Sequence, residues 1–533
     1  MLLSHFFDQG WNLDPAAVAY RHGEVDWTFE EAGSLSCRIG NALHRDGFEP
    51  ETKVAVLSPN DPAAWLCVIA AWRAGGTWVP LNPMSPVSDS IGFIDQFDCE
   101  VLFYHPSLST AVDEIHAEVG DRLRFIRLEG EESEEGDGGD ESAAEARPYA
   151  IPLAEWLGDV PATRPAIDVS PDTVAMISPT GGTTGRPKGV MNTHRSFGTC
   201  IAQLMLVMQY RADESVVNLA AAPMTHSAGV LTLPASARGG AVVVLKRPDP
   251  VALLESIERN AVTDLFLPPT VIYRLLKNPG LAGYDLSSLR YFLYGSAPMS
   301  TEKLRECLEV FGPVMIESFG QTEAPGSISF LRPEEHFTDG EVAEDARLLS
   351  CGRPSPLVQV EIRDEQGTAV SAGERGEICV RGDLVMKGYY RNPEATAEAV
   401  RDGWLHTGDI GFLDAQGFLT LTDRKKDMII SGGFNVYPAE VEQALWSHPA
   451  VQDCAVIGVP DATWGEAVTA VVELNEGADA DVAELIAWCR DRLGPVRTPK
   501  RVDVIERLPR SVNGKVLKKD LRELYWTDRT RRI

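Results

Sequence analysis

Short β-branched runs closed by turn residues alternate with helix-length apolar stretches, and this alternation does most to narrow the fold. KVAVLS from Lys53, TVAMIS from Thr173, AVVVLK from Ala241 and DLFLPP from Asp264 have the composition of buried strands. DPAAWLCVIAAWRAG from Asp61 and PVALLESIERN from Pro250 lie between them and are long enough for helices. Parallel strands need such crossovers, so the chain reads as α/β with mostly parallel sheets. At 533 residues it exceeds one typical domain, and two or more compact units are expected.

The texture changes after residue 350. VQVEIRDEQGTAVSAGERGEICVRG carries DEQG and AGERG at hairpin spacing, which predicts a β-rich subdomain. A charged stretch at 423–426 then leads into a strand, a glycine turn and a helix starting near Pro438, so a boundary is placed there. Beyond it the expected order is helix 438–447, strand DCAVIGV, strand AVTAVVEL and helix DVAELIAWCRDRL. Residues 129–142 hold acid, Gly and Ser without an apolar residue and are expected to be a solvated loop.

Composition excludes several classes. A net charge of −29 argues against a nucleic-acid scaffold, although small anionic ligands respond to local charge. One local exception is the stretch from Lys500 onward, with eleven Lys/Arg against five Asp/Glu. The nine cysteines are scattered singly with no CxxC pair, as expected of reduced structural thiols. There is no membrane span, and MLLSHFFDQGWNLD lacks the basic start of a secretory signal, so a cytoplasmic location is expected.

SPTGGTTGRPKG, residues 178–189, holds four glycines, three threonines, one arginine and one lysine behind an apolar run. Pro187 stands where a Walker A loop needs glycine beside its lysine, so that motif is excluded. The ingredients still suit a phosphate cradle: glycines let backbone N–H groups approach an oxyanion, hydroxyls add donors, and Lys188 adds charge. By themselves they also suit a flexible surface loop.

TGGTTGRPKG resembles the phosphate-loop signature of the adenylate-forming superfamily, which includes acyl-CoA synthetases, stand-alone adenylation domains and beetle luciferases. AAWRAGGTWVPLNP (from Ala70), YGSAPMS (Tyr294), ESFGQTE (Glu317), GERGEICVRGDLVMKGYY (Gly373), GWLHTGDIG (Gly403), DRKKDMIISGGFNVYPAEVE (Asp423) and LPRSVNGKVLKKDLR (Leu508) resemble the family's other signatures in the family's order. The match spans residues 70–522 and is most like an acyl-CoA synthetase.

The resemblance implies a large N-terminal adenylation domain of α/β subdomains plus a β-rich subdomain, residues 1–422. A hinge at 423–426, with Lys426 as the hinge residue, and a small mobile α+β C-terminal domain, 427–533, follow. It implies that a carboxylic acid is coupled to ATP with Mg²⁺, and the acyl group is then passed to coenzyme A. A carrier-protein thiol is the alternative acceptor.

Carried over residue by residue, Lys515 is the adenylation lysine, bridging carboxylate and α-phosphate oxygens. Thr180, Gly181, Gly182, Thr183, Thr184, Gly185 and Lys188 hold phosphates; Glu323 carries Mg²⁺, with Thr184 and Thr322 as nearby oxygen donors. Gly295, Ser296, Ala297 and Pro298, with Glu317, Ser318, Phe319, Gly320, Gln321 and Thr322, enclose the adenine, and Asp409 with Arg424 holds the ribose. Phe319 departs from the tyrosine common in the family, keeping stacking and losing a phenol hydrogen bond. His226, Gly295, Gly320, Pro325 and Gly326 mark the acyl pocket, while Ser431, Gly432, Gly433 and Phe434 line the pantetheine channel in the rotated state.

An amino-acid substrate is disfavoured, since AAPMTHSAG offers no acid for an ammonium group. A luciferase-like oxygenase shares every adenylation motif, whereas a dead binding protein would be expected to lose Lys515, Glu323 or Asp409. No basic residue is evident in the expected pocket, which argues against a dicarboxylate, and the sequence is compatible with a homodimer.

Overall fold

A computed structural model describes residues 1–130, 147–180, 187–225, 227–424, 427–461, 463–510 and 516–526. The acidic stretch therefore lies outside the described residues from position 131 onward.

Two large sheets dominate. One runs, edge to edge, through Gly388–Tyr389, Lys188–Thr193, Val174–Thr180, Thr77–Leu81, Lys53–Leu57, Cys99–Tyr104, Arg124–Arg127 and Ala150–Pro152. It is parallel except where Lys188–Thr193 runs against both its neighbours. The other runs through Arg353–Pro354, Ala324–Leu331, Met315–Gln321, Tyr291–Gly295, Asp264–Leu267, Val217–Ala220, Ala241–Val244, Val18–His22 and Val25–Thr28. Its inner strands are parallel and its outermost pairs antiparallel.

Helix Pro62–Arg73 shows why the sheets pack as they do. Asp61 accepts from the Ala64 N–H at 3.0 Å and Pro62 opens the helix, so its start is written locally. Every residue of the helix is buried, as an all-round apolar sequence requires. Trp65, Trp72 and Trp78 meet edge to face at 5.5 to 6.2 Å, in a core shared with Ala220 and Val242 of the second sheet. The Trp72 indole donates to the Ala175 carbonyl at 2.9 Å, tying that core to the strand feeding the glycine loop.

The β-rich subdomain pairs Gln359–Arg363, Gly376–Arg381, Trp404–Leu413 and Val400–Arg401, with Leu419–Arg424 added on Trp404–Leu413. The chain changes sheets between Arg424 and Ile429. The C-terminal sheet joins Phe434–Val436, Ile429–Ser431, Gly465–Leu474 and Val451–Asp461, with Arg501–Ile505 parallel to Gly465–Leu474. Helices Pro438–Trp446 and Val482–Arg497 lie where expected, the latter breaking at Gly494 (φ 74°) ahead of Pro495.

Within the basic C-terminal stretch, the Lys518 ammonium is 2.7 Å from the buried Glu442 carboxylate on Pro438–Trp446. A charge that deep is kept because it is paired. Lys519, half exposed, is the solvated neighbour. All nine cysteines are free and buried, as expected.

Candidate functional site

The glycine loop springs from a hairpin. Val174–Thr180 and Lys188–Thr193 pair antiparallel down to Thr180 opposite Lys188, and the Thr180 hydroxyl donates to the Lys188 carbonyl at 3.2 Å. Gly181, Gly182, Thr183, Thr184 and Gly185 lie outside the described residues. The Lys188 ammonium stands 4.7 Å from the centre of the Tyr389 ring.

Glu323 occupies the tight turn between Met315–Gln321 and Ala324–Leu331. Its Oε1 accepts from the Tyr389 hydroxyl at 2.8 Å and its backbone carbonyl from the Met386 N–H at 2.8 Å. The neighbouring Thr322 carbonyl accepts from the Asn192 amide at 2.9 Å, so this turn hangs from the glycine hairpin. Among the described residues no group of three or more His, Cys, Asp or Glu could cage a metal. A single hard carboxylate beside a phosphate loop suits Mg²⁺, which keeps waters and shares phosphate oxygens.

The segments expected to enclose the adenine are neighbours in register. Gly295 pairs with Ser318, and the turn leaves the sheet through Ser296, held at φ 68°, with Ser296 and Pro298 exposed. Ser318 donates to the Gly326 carbonyl. A Cβ on Gly320 would lie 2.8 Å from Gly326 Cα, which explains the small residues at both positions. Gln321 donates to the Thr407 carbonyl at 3.3 Å, and this bond links the 317–321 segment to the TGD segment.

There Asp409, nearly fully buried, faces Arg424 across the strand pair, with guanidinium Nε 3.5 Å from Oδ1. Gly408, at φ 73°, gives its N–H to Glu377 at 3.2 Å, and Glu377 also meets His406 at 3.2 Å. Burial pushes the Glu317 carboxyl up to about 8. The Tyr294 hydroxyl lies 3.5 Å from Glu317 Oε2 and 3.4 Å from His336 Nε2. Burial lowers His336 to about 4, so the imidazole is neutral and its Nδ1 is held by the Arg332 carbonyl at 2.9 Å. Glu317 thus enters this wall as an uncharged group at neutral pH.

In the expected acyl region, Gly326 has φ 57° and faces Cys200. Gln203, buried on helix His194–Val207, donates to the Ser327 carbonyl at 3.0 Å and fixes the strand behind it. Pro325 is buried beside them. His226 lies outside the described residues, while its neighbour Met224 donates to Asn60 Oδ1 at 2.7 Å. Cys200, Gln203, Asn60 and Tyr389 are absent from the sequence-derived set. Only Tyr389 lay within a recognised motif.

The C-terminal elements are separate. Gly432 (φ 59°) and Gly433 (φ 82°) make the two-residue turn between Ser431 and Phe434, as a hairpin with both central φ positive requires. Phe434 is 59% exposed, so this turn faces solvent. Lys426 and Lys515 lie outside the described residues. The ends flanking 511–515 are fixed: Arg510 and Val516 form a bridge, and Arg510 meets Asp453 at 2.7 Å and Glu473 at 3.3 Å. Polar contacts join this unit to the rest: Arg375 to Glu440 at 2.7 Å, Gln443 to the Met299 carbonyl at 3.3 Å, and Lys277 to Gln452 at 3.2 Å.

Residues 7–390 match the model of the AMP-binding enzymes and 440–515 that of the AMP-binding enzyme C-terminal domain. The chain is 37% identical over 516 residues to a feruloyl-CoA synthase of Amycolatopsis sp, covering 96% of this chain and 97% of the relative. It is 35% identical to the medium/long-chain-fatty-acid–CoA ligase FadD8 of Mycobacterium tuberculosis, covering 93% and 85%. Among solved structures it resembles the amide bond synthetase McbA of Marinactinospora thermotolerans, with TM-score 0.85, 31% identity and coverage of 98% and 100%.

Proposed function

Because this chain belongs to the AMP-binding enzyme family, we propose that it ligates a carboxylic acid to coenzyme A with ATP, releasing AMP and pyrophosphate. A carboxylate oxygen attacks the α-phosphorus and pyrophosphate leaves; thiol sulfur then attacks the acyl carbon and AMP leaves. The observation that carries this reading is the Gln321–Thr407 bond, which joins the adenine turn to Asp409 and Arg424 two residues before the Glu323 turn.

Asp409 accepts the ribose hydroxyls and Arg424 donates beside it. The 295–298 and 317–321 segments enclose the adenine, and the 180–188 hairpin holds the departing phosphates. Glu323, with Thr184 and Thr322, takes Mg²⁺, which when bound offsets charge on the triphosphate. Lys515 brings its cation to the attacking carboxylate and the α-phosphate, where like charges must approach. Gly326, Gly320 and Gly295 leave room for the acyl group beside His226, and the names of the relatives point to an aromatic or aliphatic monocarboxylate.

Residues 1–422 form the nucleotide-binding domain, 423–426 the hinge and 427–533 the turning domain of a cytoplasmic enzyme. The exposure of Phe434 supports reading the described arrangement as the state before the 431–434 turn comes to line the thiol channel. The test is incubation with ATP, Mg²⁺, CoA and a panel of aliphatic, aromatic and polycyclic acids. Acid-dependent AMP release with acyl-CoA formation is expected, and its absence across the panel would overturn the reading.

A further inference from the structure

The GYY end of GERGEICVRGDLVMKGYY carries no role assigned from the sequence, and the fold puts it between the Glu323 turn and the glycine hairpin. Residues 386–390 stitch the metal turn to the glycine hairpin. Met386 N–H donates to the Glu323 carbonyl at 2.8 Å, Lys387 N–H to Met191 at 2.9 Å, and Tyr390 N–H to Gly189 at 2.7 Å. Tyr389 pairs with Val190 on the strand that begins at Lys188. Its own N–H is held by the Thr396 hydroxyl at 2.9 Å, and only 8% of the residue is exposed. Gly388 beside it runs at φ 144°, where a Cβ would sit 2.8 Å from the Thr396 methyl, so the crossing is tight.

From this buried anchor the ring makes two contacts with different chemistry. Its hydroxyl donates to Glu323 Oε1 at 2.8 Å, and its face meets the Lys188 ammonium 4.7 Å from the ring centre. We infer that Tyr389 is a positioning residue that sets the Glu323 carboxylate and the Lys188 ammonium in fixed relation before the metal–nucleotide complex arrives. The hydroxyl fixes rotation of the carboxylate and occupies one oxygen, leaving the other to face the metal. The ring keeps the ammonium at the foot of the phosphate hairpin. This rests on reading Glu323 as the metal carboxylate.

The test is calorimetric titration of ATP, with no acid present so that nothing turns over, across a Mg²⁺ series and in EDTA. Loss of a partner behind a metal ligand typically weakens metal affinity about 10-fold or more. Tyr389→Phe is therefore expected to raise the Mg²⁺ needed for half-maximal ATP binding about 10-fold. ATP binding in EDTA should stay within about twofold, because the ring remains over Lys188. Tyr389→Leu, which also removes the ring, should weaken metal-free binding by about threefold to fivefold.

Glu323→Gln should shift the Mg²⁺ dependence itself, and adding Tyr389→Phe to it should shift it no further. If Glu323→Gln moves the dependence and Tyr389→Phe does not, the positioning role is wrong. If Glu323→Gln leaves it unchanged, the metal reading fails instead. Should Tyr389→Phe not fold, Tyr389→Leu measured in EDTA still decides the Lys188 contact, and unchanged metal-free binding would overturn it.

Discussion

The nucleotide half and the C-terminal unit are built by different rules. The residues proposed for adenine, ribose and metal sit at sheet registers: Gly295 opposite Ser318, Asp409 opposite Arg424, and Glu323 at a turn closed by strand neighbours. Ladder bonds fix each pair within its own sheet, and the Gln321–Thr407 bond joins the two sheets. The C-terminal unit has its own sheet and core and meets the rest through side-chain contacts such as Arg375–Glu440 and Lys277–Gln452. Partly exposed polar pairs of that kind are worth little individually and are remade at low cost. The proposed function, in which one half holds ATP while the other exchanges a lysine for a thiol channel, calls for this division.

The largest effect is expected from damage to the fixed half. Asp409→Asn keeps the shape but removes the charge that the ribose hydroxyls and Arg424 share. A charge-assisted, nearly buried interaction of this kind predicts about a 100-fold loss in kcat/KM for ATP. The reading is checked by measuring both half-reactions: adenylate formation should fall, with no gain in thiol transfer.

A smaller effect is expected at the boundary. Arg375→Ala removes the pair with Glu440, of which the guanidinium side is 38% exposed, and leaves Glu440 its contact with Arg497 at 3.2 Å. The ratio of thiol transfer to adenylation should rise by no more than about fivefold, while ATP binding holds. A fall in ATP affinity like that of Asp409→Asn would show that the two halves are one rigid unit.

The smallest effect concerns stability. Glu317 stays protonated in the folded chain up to about pH 8, because burial disfavours its charge, whereas the unfolded chain ionises it near 4.5. Between those values the folded state binds more protons, so this group's contribution to stability falls as pH rises. Glu317→Gln removes the dependence and should gain about 2 °C in Tm over wild type on going from pH 5 to pH 8. A constant Tm difference across that range would contradict the burial argument.

Much of this was legible because local chemistry writes it. Asp61 and Pro62 start their helix, and the alternation of runs and helices gives parallel sheets, whereas the glycine turn at 432–433 leads into a return strand, Phe434–Val436, before the expected helix at Pro438. The motifs placed Asp409 and Arg424 in one site although fifteen positions separate them, and the strand register brings them together. Other features depend on tertiary pairing that no local pattern records. Val18–His22 lies beside Ala241–Val244, more than two hundred residues on, because both bury the same apolar face. Nothing local pairs Lys518 with Glu442, and the motif holding Tyr389 does not say that its hydroxyl meets Glu323 while its ring meets Lys188.

In the proposed reaction Lys515, from the C-terminal unit, completes a site otherwise fixed in the sheets. Single-turnover kinetics of Lys515→Ala tests this, with adenylate formation and thiol attack on a supplied acyl-adenylate measured separately. A loss of about 100- to 1000-fold in adenylate formation is expected, with thiol transfer largely spared. Equal loss in both steps would show that the lysine does not act in adenylation.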